Sequence, residues 1–358
     1  MKFPCITMLA TLLLTMPAAA QLQITPPAAT PNAAPEKQKP KPHALTKKKE
    51  AAPTPKPSAS PKPSPSPKPA ATVIPAPPAD NSNVDLVFGA YQRGQYKTAF
   101  DLATVRAQGG DPKAMTMLGE LYSNAMGIRR DYAKAAEWYK RAADAGDREA
   151  MFALAMLRIS GRGGSVDKSE AVKLMASAAK LGEPKAAYNL ALLYLDGQTL
   201  PQDVKRSAEL LRQAADAGLP EAQYALATFY KEGSGVPKDP ERAVRLLQAA
   251  SLADNVDAEV EYAIAMFNGT GTPKNQPAAI ALLRKASRQG SAIAQNRLAW
   301  VLINGAGTAI DKVEGFKWHL VAKTGGKGDP ELDKQLSDLP AEDRAKAEAA
   351  AKKWLGTK

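Results

Sequence analysis

The chain has 358 residues and a formal net charge of +12, with 48 Lys and Arg against 36 Asp and Glu. It holds one cysteine and two histidines, which excludes a disulfide framework and any cluster of thiolate or imidazole metal ligands. A chain of this length is expected to fall into two or three parts.

The first part, residues 1–20, reads as an export signal. Lys2 precedes a mostly apolar run from Ile6 to Met16, and Ala18-Ala19-Ala20 before Gln21 offers a small-residue cleavage site, with cleavage expected after Ala20. The run is short for a membrane span. The lone Cys5 lies inside it, so the processed chain would carry no thiol. This implies a periplasmic destination.

Residues 21–79 read as a disordered linker rich in proline and lysine, as in Pro53-Thr54-Pro55-Lys56-Pro57. Such a composition cannot bury enough apolar surface to offset its ordering entropy, and its prolines favour extended polyproline II. At about 3.1 Å per residue it could reach on the order of 150 Å. The segment carries nine Lys against Glu36 and Glu50, a net +7, and Lys2 adds one more, which leaves +4 for residues 80–358. The basic character is thus mostly a property of the tether, whose expected contact, if any, is with anionic cell-wall polymer or headgroups.

The remainder is periodic. Residues 84–109 read as a truncated first helical pair, Val84 to Arg93 and Tyr96 to Ala107. From there a 36-residue step gives Gly110, Gly146, Gly182, Gly218, Asp254, Gly290 and Gly326. Four residues after each of the first six is an alanine (Ala114, Ala150, Ala186, Ala222, Ala258, Ala294), and eight after is a large apolar residue (Leu118, Leu154, Leu190, Leu226, Tyr262, Leu298). A fixed period of this size marks a solenoid, in which each unit buries its apolar face on its neighbours. Within a unit, glycines such as Gly233 and Gly235 end a first helix, and Asp239 caps a second that begins at Pro240. The caps recur at Asp131, Asp167, Asp203, Asp239, Asn275 and Asp311. The second-helix core residue is expected at Trp138, Leu174, Leu210, Leu246, Leu282 and Trp318. Residues 329–358 read as capping helices that begin at Asp329-Pro330 and Leu339-Pro340, with Trp354 packed back onto the last repeat.

The order Ala114, Leu118-Gly119, Tyr122, Gly127, Asp131, Ala135, Trp138-Tyr139, Ala142-Ala143, Gly146 resembles the Sel1-like repeat, a relative of the tetratricopeptide repeat. The resemblance covers six units within residues 110–328. It implies an all-α, right-handed solenoid whose first helices line a concave, partner-binding side. Three departures stand out: Asp254 for a glycine, Arg158 for the first-helix tyrosine and Thr199 for a turn glycine.

On that implied side, the stripe beside the first-helix core gives Glu149, Met156, Lys185, Asn189, Leu192, Asp196, Glu232, Arg297, Trp300 and Asn304 as candidate partner-binding residues, with Glu221, Glu261 and Asn268 in the same stripe. Catalytic signals are weak. Ser165-Val166-Asp167-Lys168, Ser177-Ala178-Ala179-Lys180 and Lys323-Thr324-Gly325 match fragments of penicillin-interactive enzymes, but the last falls at a helix end where those enzymes need a strand. His319 stands alone beside Trp318. No catalytic residue, cofactor, metal or nucleic-acid partner is expected. The sequence therefore reads as a non-enzymatic periplasmic scaffold or regulator that docks another protein, with a cell-wall-associated structural protein and, behind it, a penicillin-interactive hydrolase as alternatives.

Overall fold

The structure is a computed structural model that describes residues 85–356, and among these residues every regular element is helical. The signal and tether readings, and Val84 at the expected start of the first pair, lie outside the described residues. A short pair comes first, α1 (Leu86–Gln92) and α2 (Tyr96–Gln108). Six hairpins follow: α3 (Pro112–Asn124) with α4 (Tyr132–Asp144), α5 (Arg148–Ser160) with α6 (Lys168–Lys180), α7 (Pro184–Asp196) with α8 (Val204–Asp216), α9 (Pro220–Glu232) with α10 (Pro240–Leu252), α11 (Val256–Asn268) with α12 (Gln276–Arg288), and α13 (Ala292–Asn304) with α14 (Lys312–Thr324). Two helices close the described chain, α15 (Pro330–Ser337) and α16 (Ala341–Gly356). From α1 to α15 each helix packs on the next, and α16 packs back on α14, so the hairpins follow one another as a solenoid. None of the described helices is long and apolar enough to cross a membrane.

The caps explain the fixed helix length. Every second helix of the six hairpins starts on the expected Asp or Asn, whose side chain accepts the N–H three residues on: Asp131 from Lys134 at 3.0 Å, Asp167 from Glu170 at 2.8 Å, Asn275 from Ala278 at 3.1 Å. Such a cap contributes about 1 kcal/mol. The cap's own N–H then reaches back to the first helix, as from Asp131 to the Tyr122 carbonyl at 3.1 Å, Asp167 to Arg158 at 3.0 Å and Asp311 to Leu302 at 2.9 Å. That bond uses only a carbonyl. It tolerates Arg158, Met266 and Leu302 where the first, third and fourth hairpins carry tyrosine, and the Arg158 side chain finds Glu170 at 2.9 Å.

The glycines serve two different needs. The residue at 254 has φ +58, and the equivalent Gly218 and Gly326, at φ +85 and +73, have open space where a Cβ would project. Conformation alone selects glycine there, and Asp tolerates the left-handed region well enough to replace it. Gly163 is different. It has φ +74, and a Cβ on it would press into the Tyr132 carbonyl oxygen, at the start of the preceding unit's second helix. The turn glycine is thus also a point of contact between units. Thr199 occupies this position in the third hairpin and does not adopt positive φ.

The second-helix core differs from the expectation by one residue. The innermost side chains are Tyr139, Met175, Leu211, Leu247 and Leu283, whereas Trp138, Leu174, Leu246 and Leu282 are half-buried, and Leu210 and Trp318 are buried as expected. The cause is the small-residue seam: Ala135, Tyr139 and Ala142 share one face at spacings of four and three, and residue 138 lies about 100° off Tyr139. Counting on by 36, the same register reaches His319, which is fully buried. Its Nε2 lies 2.8 Å from Asp333 on α15, which also pairs with Lys323 at 2.8 Å. Trp354 does return to the last hairpin, edge-on to Trp318 with ring centroids 5.1 Å apart.

Candidate functional site: a groove on the first-helix face

The first helices of three successive hairpins, α3, α5 and α7, border a groove of about 710 Å³. Its floor is aromatic and apolar, with Tyr139, Phe152, Met156 and Leu157, and its walls carry both signs of charge, from Glu120, Glu149 and Glu183 to Arg130, Arg162 and Lys185.

Local sequence choices build this floor. A Cβ on Gly119 would lie 2.5 Å from the Tyr139 ring, so the glycine lets a tyrosine occupy a register that holds Met or Leu in the next four units. The Tyr139 hydroxyl lies 3.4 Å from Ser123 Oγ, and burial pushes its phenol up to about 12, so it is neutral at physiological pH. Tyr91 on α1 donates to Glu120 Oε1 at 2.8 Å, which fixes that carboxylate at the groove's edge. Glu149 is held from the other side by Lys113, whose Nζ stands 3.4 Å from it and 2.9 Å from the buried cap Asp147. Two loops add the cations. Arg130 and Arg162, from successive units, sit 5.8 and 5.4 Å from the Tyr132 ring centroid, close enough for cation–π attraction. The groove thus offers aromatic faces, an apolar floor and hydrogen-bonding groups of both charges, a surface suited to a polypeptide segment.

Three sequence-derived candidates line this groove, namely Glu149, Met156 and Lys185. Asn189, Leu192 and Asp196 are half-buried further along α7, and the Asn189 amide is turned onto the Lys185 carbonyl at 2.8 Å. Glu232 and Asn304 are exposed at helix ends, where the Asn304 amide donates to the Trp300 carbonyl at 2.8 Å. Glu261 and Asn268 border a smaller pocket of about 160 Å³, where Glu261 pairs with Lys231 at 2.6 Å. Arg297 and Trp300 require a correction. They are only 4% and 7% exposed, because the segment that enters α15 lies over them where a further first helix would stand. Trp300 Nε1 donates to Asp329 Oδ2 at 2.9 Å, and Arg297 donates to Asn296 Oδ1 at 2.7 Å. Burial pulls the Arg297 guanidinium down to about 10, against the pull of Glu261 and Asp329. Both residues belong to the capping of the stack, not to an open groove.

Sequence reasoning missed Phe152, Arg130, Tyr132 and Arg162. A signal existed for the first: Phe152, Tyr188 and Tyr224 stand 36 apart, six residues after the unit glycine, and burial pushes the Tyr188 phenol up to about 12. The loop arginines carry no such period. Of the catalytic fragments, Ser165 is on an exposed loop and Ser177 on the exposed side of α6, while Lys323-Thr324-Gly325 closes α14. Among the described residues no three His, Cys, Asp or Glu side chains gather into a group that could hold a metal.

Six consecutive segments, 112–147, 148–183, 184–219, 220–255, 256–291 and 292–326, match the Sel1 repeat family, together more than half of the chain. Among solved structures the chain is similar to c5321, a protective antigen present in uropathogenic Escherichia coli strains that displays an SLR fold, with a TM-score of 0.65, 27% identity, and 75% of this chain and 59% of that one covered. The chain therefore spans about three fifths of that protein's length. It is similar also to a Sel1 repeat protein from Oxalobacter formigenes, with a TM-score of 0.60 and 27% identity over 68% of this chain and all of that one. No curated relative matches the chain.

Proposed function

The chain belongs to the Sel1 repeat family, and from that premise we propose that it is a non-enzymatic periplasmic scaffold or regulator that holds a segment of another protein in the groove across α3, α5 and α7. Proteins of this fold are typically interaction scaffolds. The observation that carries the reading is the groove itself, in which Tyr139, Phe152 and Met156 lie between fixed carboxylates and arginines. Buried aromatic anchors ringed by polar groups are the usual seat of binding energy between proteins. The export signal read at residues 1–20 motivates the periplasmic assignment.

A photo-crosslinking side chain placed at the exposed Glu149, compared with one at the exposed Lys173 on α6, tests this in the full chain. Capture of one and the same protein from Glu149 and not from Lys173, lost when Met156→Lys is added, is the expected result. Equal capture from both positions would sink the groove assignment. The +7 charge of residues 21–79 favours a second reading, retention on anionic cell-wall polymer through the tether. In that case deletion of 21–79 releases the protein from the envelope and Met156→Lys changes nothing.

A further inference from the structure

We propose that the pocket between α10 and α11 is a second binding site, which takes one leucine-like apolar side chain of a polypeptide. It is separate from the groove across α3, α5 and α7, and its occupancy does not depend on that groove. Its apolar walls are Pro240, Val244 and Leu247 from α10 with Ile264 and Ala265 from α11, and it measures about 160 Å³. An apolar cavity of about 150 Å³ accepts a benzene-sized group.

The repeat register shows which side chain is missing. At 36-residue steps Ala265 follows Leu121, Leu157, Leu193 and Phe229 and precedes Val301. Leu121, Leu157, Phe229 and Val301 are buried and Leu193 is half-buried. An alanine in place of such a residue leaves a cavity, because the surroundings relax only partly. Lys231 does not close it. Its register holds Ile159, Leu195, Phe267 and Ile303 in other units, whereas the Lys231 ammonium is drawn to Glu261 at 2.6 Å. The fifth hairpin thus lacks the side chain that fills this junction elsewhere, and the space left is that of an aliphatic or aromatic side chain.

The pocket is the register counterpart of the groove. Three 36-residue steps carry Tyr132, Tyr139, Met156 and Arg162 of the groove to Pro240, Leu247, Ile264 and Thr270 of the pocket. The lining has changed in one direction. Threonine stands where the loop arginine was, and Lys231 and Glu261 neutralise each other, with side chains 32% and 13% exposed. A charged ligand would have to break that pair, whereas an apolar side chain leaves it intact. The ammonium, the carboxylate and the Thr270 hydroxyl also offer donors and acceptors to the amides that flank a side chain in a polypeptide.

Titration of the full chain with N-acetyl-leucinamide, followed at the methyl resonances of Leu247 and Ile264, tests the proposal. The expected result is a saturable shift, with N-acetyl-alaninamide binding at least ~10-fold more weakly because it buries less apolar surface. Ala265→Leu restores the residue of the first three hairpins, so it should keep helicity and melting and abolish the shift at Leu247. Should leucine at 265 disturb the packing, Ile264→Thr, the residue that Thr228 supplies in the fourth hairpin, still decides the matter and should weaken binding. Met156→Lys in the groove should change nothing here. No saturable shift with N-acetyl-leucinamide, an equal response to both amides, or shifts that survive both pocket substitutions would overturn the proposal. A response to benzene alone would overturn it too, since the cavity would then admit only small hydrocarbons.

Discussion

Lys285→Met should destabilise the stack because it strands a buried carboxylate. Glu259 on α11 is 0% exposed, and neither of its oxygens makes a well-aligned hydrogen bond. Its cation partner is Lys285, with Nζ 3.2 Å from Oε1 and equally 3.2 Å from Asp254 Oδ1. Other units solve the same position differently. Gln295 donates to the Ser287 carbonyl at 3.0 Å, and Gln223 to the Ala215 carbonyl at 3.3 Å. A carboxylate cannot donate, so the fifth hairpin depends on the lysine instead. Breaking a fully buried pair costs roughly 3–5 kcal/mol. Lys285 is 43% exposed and partly solvated, so about 2–3 kcal/mol is expected. Glu259→Gln removes the charge and restores a donor aimed at the Ser251 carbonyl, and should change stability by no more than ~1 kcal/mol. In that background Lys285→Met should cost almost nothing. Urea unfolding of the four proteins, followed by helical circular dichroism, measures the coupling, and hydrogen exchange at α11 and α12 guards against unfolding in stages along the stack. Equal cost of Lys285→Met in both backgrounds would refute the reasoning.

Gly163→Ala should cost more than Gly146→Ala: the first adds a backbone clash to an unfavourable φ and should lose at least ~2 kcal/mol, the second only the ~1 kcal/mol of a left-handed alanine. Thermal melts that rank them the other way would show the inter-unit contact to be soft. Gly119→Ala should destabilise by about 1–3 kcal/mol through its clash with the Tyr139 ring. Adding Tyr139→Leu, the pairing of Ala191 with Leu211 in the third hairpin, should recover much of that loss, and a double-mutant cycle without recovery would contradict the size matching. The hydrogen bond from Lys323, working against desolvation, and then the contact with His319 hold the Asp333 carboxyl below the ordinary carboxylate range. Its stabilisation of the α14–α15 junction is therefore present above the unfolded carboxylate value of about 3.9 and is lost as pH falls through the lower folded value. Asp333→Asn should weaken the junction near neutral pH and flatten this acid-limb response, read from the fluorescence of Trp318 and Trp354.

Much of this architecture was legible in the amino-acid order because its determinants are local. A cap needs one oxygen three residues before an N–H, and a left-handed turn needs one glycine or an Asp such as Asp254. Both act within a few residues, so the 36-residue period, the helix starts and the turn positions follow from composition at fixed spacing. What only the tertiary structure decided depends on residues distant in the chain. Rotation by one residue put Tyr139 and His319, not Trp138, at the innermost register, because the facing helix and its Gly119 set the space available. Trp300 and Arg297 sit on the stripe that the spacing implied, yet Asp329 and the entry to α15 close over them. The groove's arginines come from loops of two different units, and their meeting over Tyr132 exists only once the hairpins stack. Local geometry repeats along the sequence, whereas exposure depends on which neighbour arrives to cover each face, and at the two ends of a solenoid that neighbour is different.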